Sequence, residues 1–113
     1  MKGISGFITR TGIAAVVMAV PLLLAAPAQA ASNRQWDRLA LCESGGNWRA
    51  NTGNGYHGGL QFSRRTWAAF GGRAYAGTAN HATRLQQIAI AEKVRGAQGW
   101  KAWPACSRKA GLR

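Results

Sequence analysis

A small, mainly helical α+β domain with a short turn-rich lobe is the fold class that this sequence predicts. Two observations carry the helices. Apolar residues recur at helical spacing before Glu43 and again after Ala82. A third observation carries the lobe. Asn51–Gly59 is so dense in glycine and Asn-Gly pairs that turn and hairpin are the expected structure.

Each element follows in order. Residues 1–30 read as a secretory leader. Lys2 and Arg10 are its basic end, Ile13–Leu24 its apolar stretch, and Ala28-Gln29-Ala30 a small-residue cleavage signal. The alternative is a permanent anchor, but a bilayer span needs roughly 20 apolar residues. Removing 30 of 113 residues leaves 83, one domain (residues 31–113) with a modest core. Ser32 or Asn33 caps a first helix, with Gln35 completing a capping box to Ser32. That helix reaches about Glu43 and stops at Gly45-Gly46, which suit a left-handed cap. Ser63 caps a short helix that ends near Gly71-Gly72. Thr78 or Asn80 caps the longest helix, about Ala82–Gln98, whose apolar residues cover a broad face. Pro104 and Cys106 close the fold.

The charge is lopsided. The chain carries 15 basic and 3 acidic side chains, for a net +12. Losing Lys2 and Arg10 with the leader takes the domain from +12 to +10. Such a surface favours an anionic neighbour. Basic residues are scattered and no nucleic-acid motif is present, so nucleic acid is the weaker partner class. Two cysteines in an exported domain predict one disulfide, Cys42 to Cys106, over two free thiols. Such a bridge closes a loop of roughly 65 residues and is worth about 4 kcal/mol in the chain-entropy model. His57 and His81 lack companion ligands, so no metal and no cofactor is expected. No serine or cysteine triad is visible.

Glu43 is the candidate catalytic residue. On a helix, Trp36, Leu39, Ala40 and Glu43 share one face. Burial beside Trp36 and Leu39 and the negative end of the helix dipole both favour a protonated carboxyl. Such a group is a general acid. The competing reading is an ion pair with Arg38, Arg49 or another base. The other two acids are poor catalytic partners. Asp37 lies about 240° around the helix from Glu43, and Glu92 pairs with Arg95 as an ordinary surface couple. A mechanism with two carboxylates is therefore disfavoured against a single-acid one. Among the five tryptophans most are expected in the core, with Trp67 and Trp48 as the likelier platforms of a groove.

One long ordered signature runs through the domain: Cys42-Glu43-Ser44-Gly45-Gly46-Asn47-Trp48, Asn51-Thr52-Gly53-Asn54-Gly55-Tyr56, Gly58-Gly59-Leu60-Gln61-Phe62, Thr66-Trp67 and Trp103-Pro104-Ala105-Cys106. Over Arg34–Cys106 it resembles the resuscitation-promoting factor domain, a secreted peptidoglycan-cleaving module related to lysozymes and lytic transglycosylases. The resemblance implies a lysozyme-like fold and cleavage of the β-1,4 bond between muramic acid and glucosamine. It implies restored growth of dormant cells. It places Glu43 at the family's catalytic acid, and Tyr56, Gln61, Thr66 and Gln98 at its substrate contacts. The expected partners are glycan strands, with anionic wall polymers or a cell-wall endopeptidase beside them, for a secreted, wall-associated monomer. Three departures from the family's pattern reduce negative charge on or near the groove. His57 stands for an aromatic, His81 and Leu85 for acids, and Ser63 for an aspartate. The competing functions are a non-catalytic peptidoglycan-binding or signalling protein and a basic antimicrobial or nucleic-acid-binding protein.

Overall fold

The computed structural model describes residues 30–113, so the leader lies outside it apart from Ala30. Helix α1 spans Asn33–Ser44. Ser32 caps it: its hydroxyl accepts from the Gln35 amide while the Gln35 side chain accepts from the Ser32 amide, the expected capping box. Gly45 ends it in the left-handed region, at φ 69°, where a Cβ would be strained. Strands β1 (Tyr56–His57) and β2 (Phe62–Ser63) form an antiparallel hairpin, with Tyr56 opposite Ser63 and His57 opposite Phe62. Helix α2 (Arg64–Ala69) is capped by Ser63, whose hydroxyl accepts from the Thr66 amide. Short 3-10 turns at Gly72–Ala74 and Ala79–His81 lead to α3 (Arg84–Gln98). A third turn, Trp100–Ala102, precedes α4 (Pro104–Lys109).

The cap of α3 differs from expectation. Thr83 holds it, in a second capping box with Gln86. Thr78 and Asn80 belong to the preceding turn, where the Thr78 hydroxyl donates to Asn80 Oδ1 at 2.7 Å. Each of the three sites has a capping side chain. Only Thr83 has a glutamine three residues on that can return the bond.

The core sits between α1 and α3. Trp36, Leu39 and Ala40 of α1 are wholly buried and join Ile88, Ile90, Ala91 and Val94 of α3. Trp36 packs against Trp100 and Trp103, with ring centroids 4.9 and 5.5 Å apart. Phe62 continues the cluster to Trp67 at 5.2 Å. Large rings let a short chain bury much apolar area per residue. The Cys42–Cys106 disulfide is formed, and ties α1 to α4.

One polar side chain lies at the centre. Gln87 has no exposed surface. Its carbonyl accepts from the Gly59 amide at 2.9 Å, and its amide donates to the carbonyls of Trp48 and Ala82 at 2.8 and 3.0 Å. It thus pins the turn-rich lobe to α3. Gly58 passes so close, at φ 82°, that any Cβ there would strike the Gln87 side chain. The arrangement is a small, mostly helical α+β fold of lysozyme-like type.

Glu92 departs from its expected role. It does pair with Arg95, at 3.6 Å. However, its second oxygen accepts from the Trp36 indole at 2.8 Å and the Ala31 amide at 2.9 Å. It is a largely buried strut between α3 and the start of α1 rather than an ordinary surface couple.

Candidate active site

A cleft of about 310 Å³ opens between the end of α1, the hairpin, α2 and the α3–α4 corner. Glu43, Tyr56, Gln61, Thr66 and Gln98 all line it. The chain therefore brings together one acid and four hydrogen-bonding side chains that are scattered over 56 positions, from 43 to 98.

Glu43 reaches this cleft because α1 fixes it from three sides. Trp36, Leu39 and Ala40 bury the same helical face one and two turns earlier. Next in sequence, the Ser44 hydroxyl donates to the Gly59 carbonyl at 2.9 Å and ties the helix end to the hairpin. On the other side, Cys42 is held by the disulfide. Burial raises the Glu43 pKa above the usual carboxylate range. The competing ion-pair reading fails among the described residues: Asp37 binds Arg84 at 2.9 Å and Glu92 binds Arg95, while Glu43 has no basic partner.

Gln61 is held in a costly backbone conformation. Its φ is 55°, the left-handed region that costs a non-glycine residue about 1–2 kcal/mol. Its own side chain is clamped at both ends: Nε2 donates to the Gly58 carbonyl at 3.1 Å, and Oε1 accepts from Asn54 at 3.2 Å. Asn54 also accepts from the Tyr56 amide at 3.0 Å. One side chain therefore orients two residues of the cleft. In sequence Asn54 stands in the turn-rich stretch and in the ordered signature, with no role of its own. Its position two residues before Tyr56, where an Asn side chain caps its own turn, was the available signal.

Trp67 does not face the cleft, contrary to the expected sugar platform. It is wholly buried, its indole donates to the Ala76 carbonyl at 2.8 Å, and Gly72 lies so close that a Cβ would strike its ring. Trp48 is also placed structurally. It packs beside Gly59 with the Arg84 guanidinium 5.4 Å over its ring. The tryptophan at the cleft is Trp103, expected only in the core. Its indole donates to the Leu60 carbonyl at 2.9 Å, and it forms the wall with Phe62, Val94 and Pro104.

The family's sequence model, that of the transglycosylase-like domain, matches residues 30–106, which holds every residue of this cleft. The chain belongs to the resuscitation-promoting factor family. Resuscitation-promoting factor Rpf1 of Corynebacterium glutamicum is 62% identical over 94 residues, 83% of this chain and 49% of that protein. Rpf2 of the same organism is 63% identical over 83 residues, 74% of this chain and 22% of that one. RpfC of Mycobacterium tuberculosis is 52% identical over 99 residues, 88% of this chain and 69% of it. This resuscitation-promoting factor domain thus spans half or less of the two Corynebacterium relatives. Among its described residues no helix is long and apolar enough to cross a membrane.

Proposed function

We propose that this domain cleaves the β-1,4 bond between muramic acid and glucosamine in peptidoglycan, with Glu43 as the only catalytic carboxyl. One observation carries the reading. Of three acids in the chain, two are held in ion pairs, and the third stands in the cleft with burial favouring its protonated form. A protonated carboxyl donates to the glycosidic oxygen as the bond to the sugar carbon breaks. The nearest alternative acids are committed elsewhere, so no second carboxylate is at hand to activate a water as in two-carboxylate enzymes. The muramyl 6-hydroxyl then attacks its own ring carbon, and the Glu43 carboxylate takes the hydroxyl proton. The products are a free glucosamine hydroxyl and an anhydro-muramyl end, with no water consumed. Tyr56, Gln61, Thr66 and Gln98 hold the sugar hydroxyls and amides. The wall of Phe62, Val94 and Trp103 supports the apolar faces of the rings.

In this reading the domain is exported after loss of residues 1–30 and works at the cell wall, where cleavage releases dormant cells into growth. Its positive charge holds it near anionic wall polymers. Digestion of purified peptidoglycan by Ala31–Arg113 and by Glu43→Gln, read by product masses, tests the reaction. Anhydro-muramyl fragments from the parent alone are expected. Fragments heavier by one water mean hydrolysis. No fragments from either protein would leave a binding module.

A further inference from the structure

We propose that Glu92 is a receptor for a newly made N-terminus: release of the leader after Ala30 turns the Ala31 amide into an ammonium that pairs with it. The geometry is already in place. Ala31 N lies 2.9 Å from Glu92 Oε2, and the same oxygen accepts from the Trp36 indole at 2.8 Å. The sequence places the cut at the same bond, after Ala28-Gln29-Ala30. The two observations are independent, since one is a small-residue signal and the other a carboxylate 61 positions away.

Hydrolysis of the Ala30–Ala31 bond adds one water. The carbonyl carbon of Ala30 gains an oxygen and leaves as a carboxylate, and the nitrogen of Ala31 gains protons and becomes cationic. A neutral N–H donor in the precursor is thereby replaced by a charged one. The carboxylate acceptor already makes the precursor bond charge-assisted, and the ammonium adds the attraction between opposite charges. Glu92 is three-quarters buried, with its side chain 25% exposed, so solvent screens the new pair less than it would a surface couple. Among the described residues the other charged group at this carboxylate is the Arg95 guanidinium, 3.6 Å from Oε1 and stacked 4.8 Å over Trp100. Glu92 then stands between two cations, and joins α3 to the start of the helix that carries Glu43.

The pairing also reads the position of the cut. Ala31 is packed against the core, and Ser32 is fixed as the cap of α1. A chain one residue longer presents a neutral amide to Glu92. A chain one residue shorter has its ammonium on the capping residue, away from the carboxylate. This inference concerns maturation and does not rest on the proposed glycan cleavage.

The core contacts lie within Ala31–Arg113, so that chain is the one to test. Its melting temperature is measured with the Ala31 amine free and acetylated, in the parent and in Glu92→Gln. A chain beginning at Ser32 is measured in the same two forms. Acetylation keeps the N–H and removes the charge. The expected result is a fall of about 4 °C or more on acetylating the parent, and little change in Glu92→Gln or in the Ser32 chain. No fall in the parent, or an equal fall in the Ser32 chain, overturns the proposal even if Glu92→Gln does not fold. The mass of the exported protein should correspond to a start at Ala31, and any other start also overturns it.

Discussion

Glu43 stands at a site that costs stability to keep. Burial raises its folded pKa above the unfolded value. A carboxyl shifted this way favours the fold when protonated. The favourable contribution is full below the unfolded pKa and is lost as pH rises through the folded one. Glu43→Gln should therefore melt higher than the parent at neutral pH, with the gap closing near pH 4. The same substitution should lower glycan cleavage by about 100-fold or more, and parent cleavage should decline as pH rises through the raised pKa. Asn54 offers a second test at this scale. Asn54→Ala removes one hydrogen bond to each of Gln61 and Tyr56. We expect cleavage to fall by about three- to ten-fold and the melting temperature to fall by several degrees, because each bond is worth about 1 kcal/mol and 1 kcal/mol moves a domain of this size by about 4–8 °C. Glu43 was legible in sequence because one helical face suffices to place it. Trp67 was not, since a tryptophan's burial depends on which neighbour gives way, here Gly72 from beyond the end of α2.

The three main helices were legible at the scale of elements because their stop and start signals are local. Serine caps, a capping box and a left-handed glycine act within four residues. What the sequence could not show is how the lobe is attached. Gln87 interrupts an apolar face of α3, and its partners lie 28 and 39 positions earlier. No periodicity connects those positions. Gln87→Ala should unpin the lobe, leaving the Gly59 amide and the Trp48 carbonyl without partners inside the fold. The expected loss is about 2–4 kcal/mol, read as a lowered denaturant midpoint, and cleavage should be lost before global unfolding. The Thr83 cap is a milder case. Three candidate caps stand within six residues, and only the reciprocal bond from Gln86 decides among them. Thr83→Ala should cost about 1 kcal/mol, seen as a drop in melting temperature.

Across the whole molecule, charge and aromatic packing serve different ends. The net +10 of the domain, +12 less Lys2 and Arg10, is spread over a surface with three acids. Retention on isolated walls should weaken steeply as salt rises toward 1 M, where the screening length falls to about 3 Å. Cleavage of short soluble fragments should change much less, because in the proposed reading the cleft holds the glycan by hydrogen bonds and ring contacts. The aromatic cluster, in turn, gives 83 residues a core in which Trp36, Trp100 and Trp103 contact one another. The disulfide adds a property of another kind. Cys42 and Cys106 stand 64 positions apart, and every residue that lines the cleft falls between them. A pull applied to the two ends of the domain runs along α1, across the sulfurs and out through α4. The loop that bears Glu43 and the other residues of the cleft carries no tension. With handles at Ala31 and Arg113, single-molecule stretching should release the contour of the loop between the two cysteines only after reduction. Covalent topology thus makes the cleft a slack loop beside a taut line.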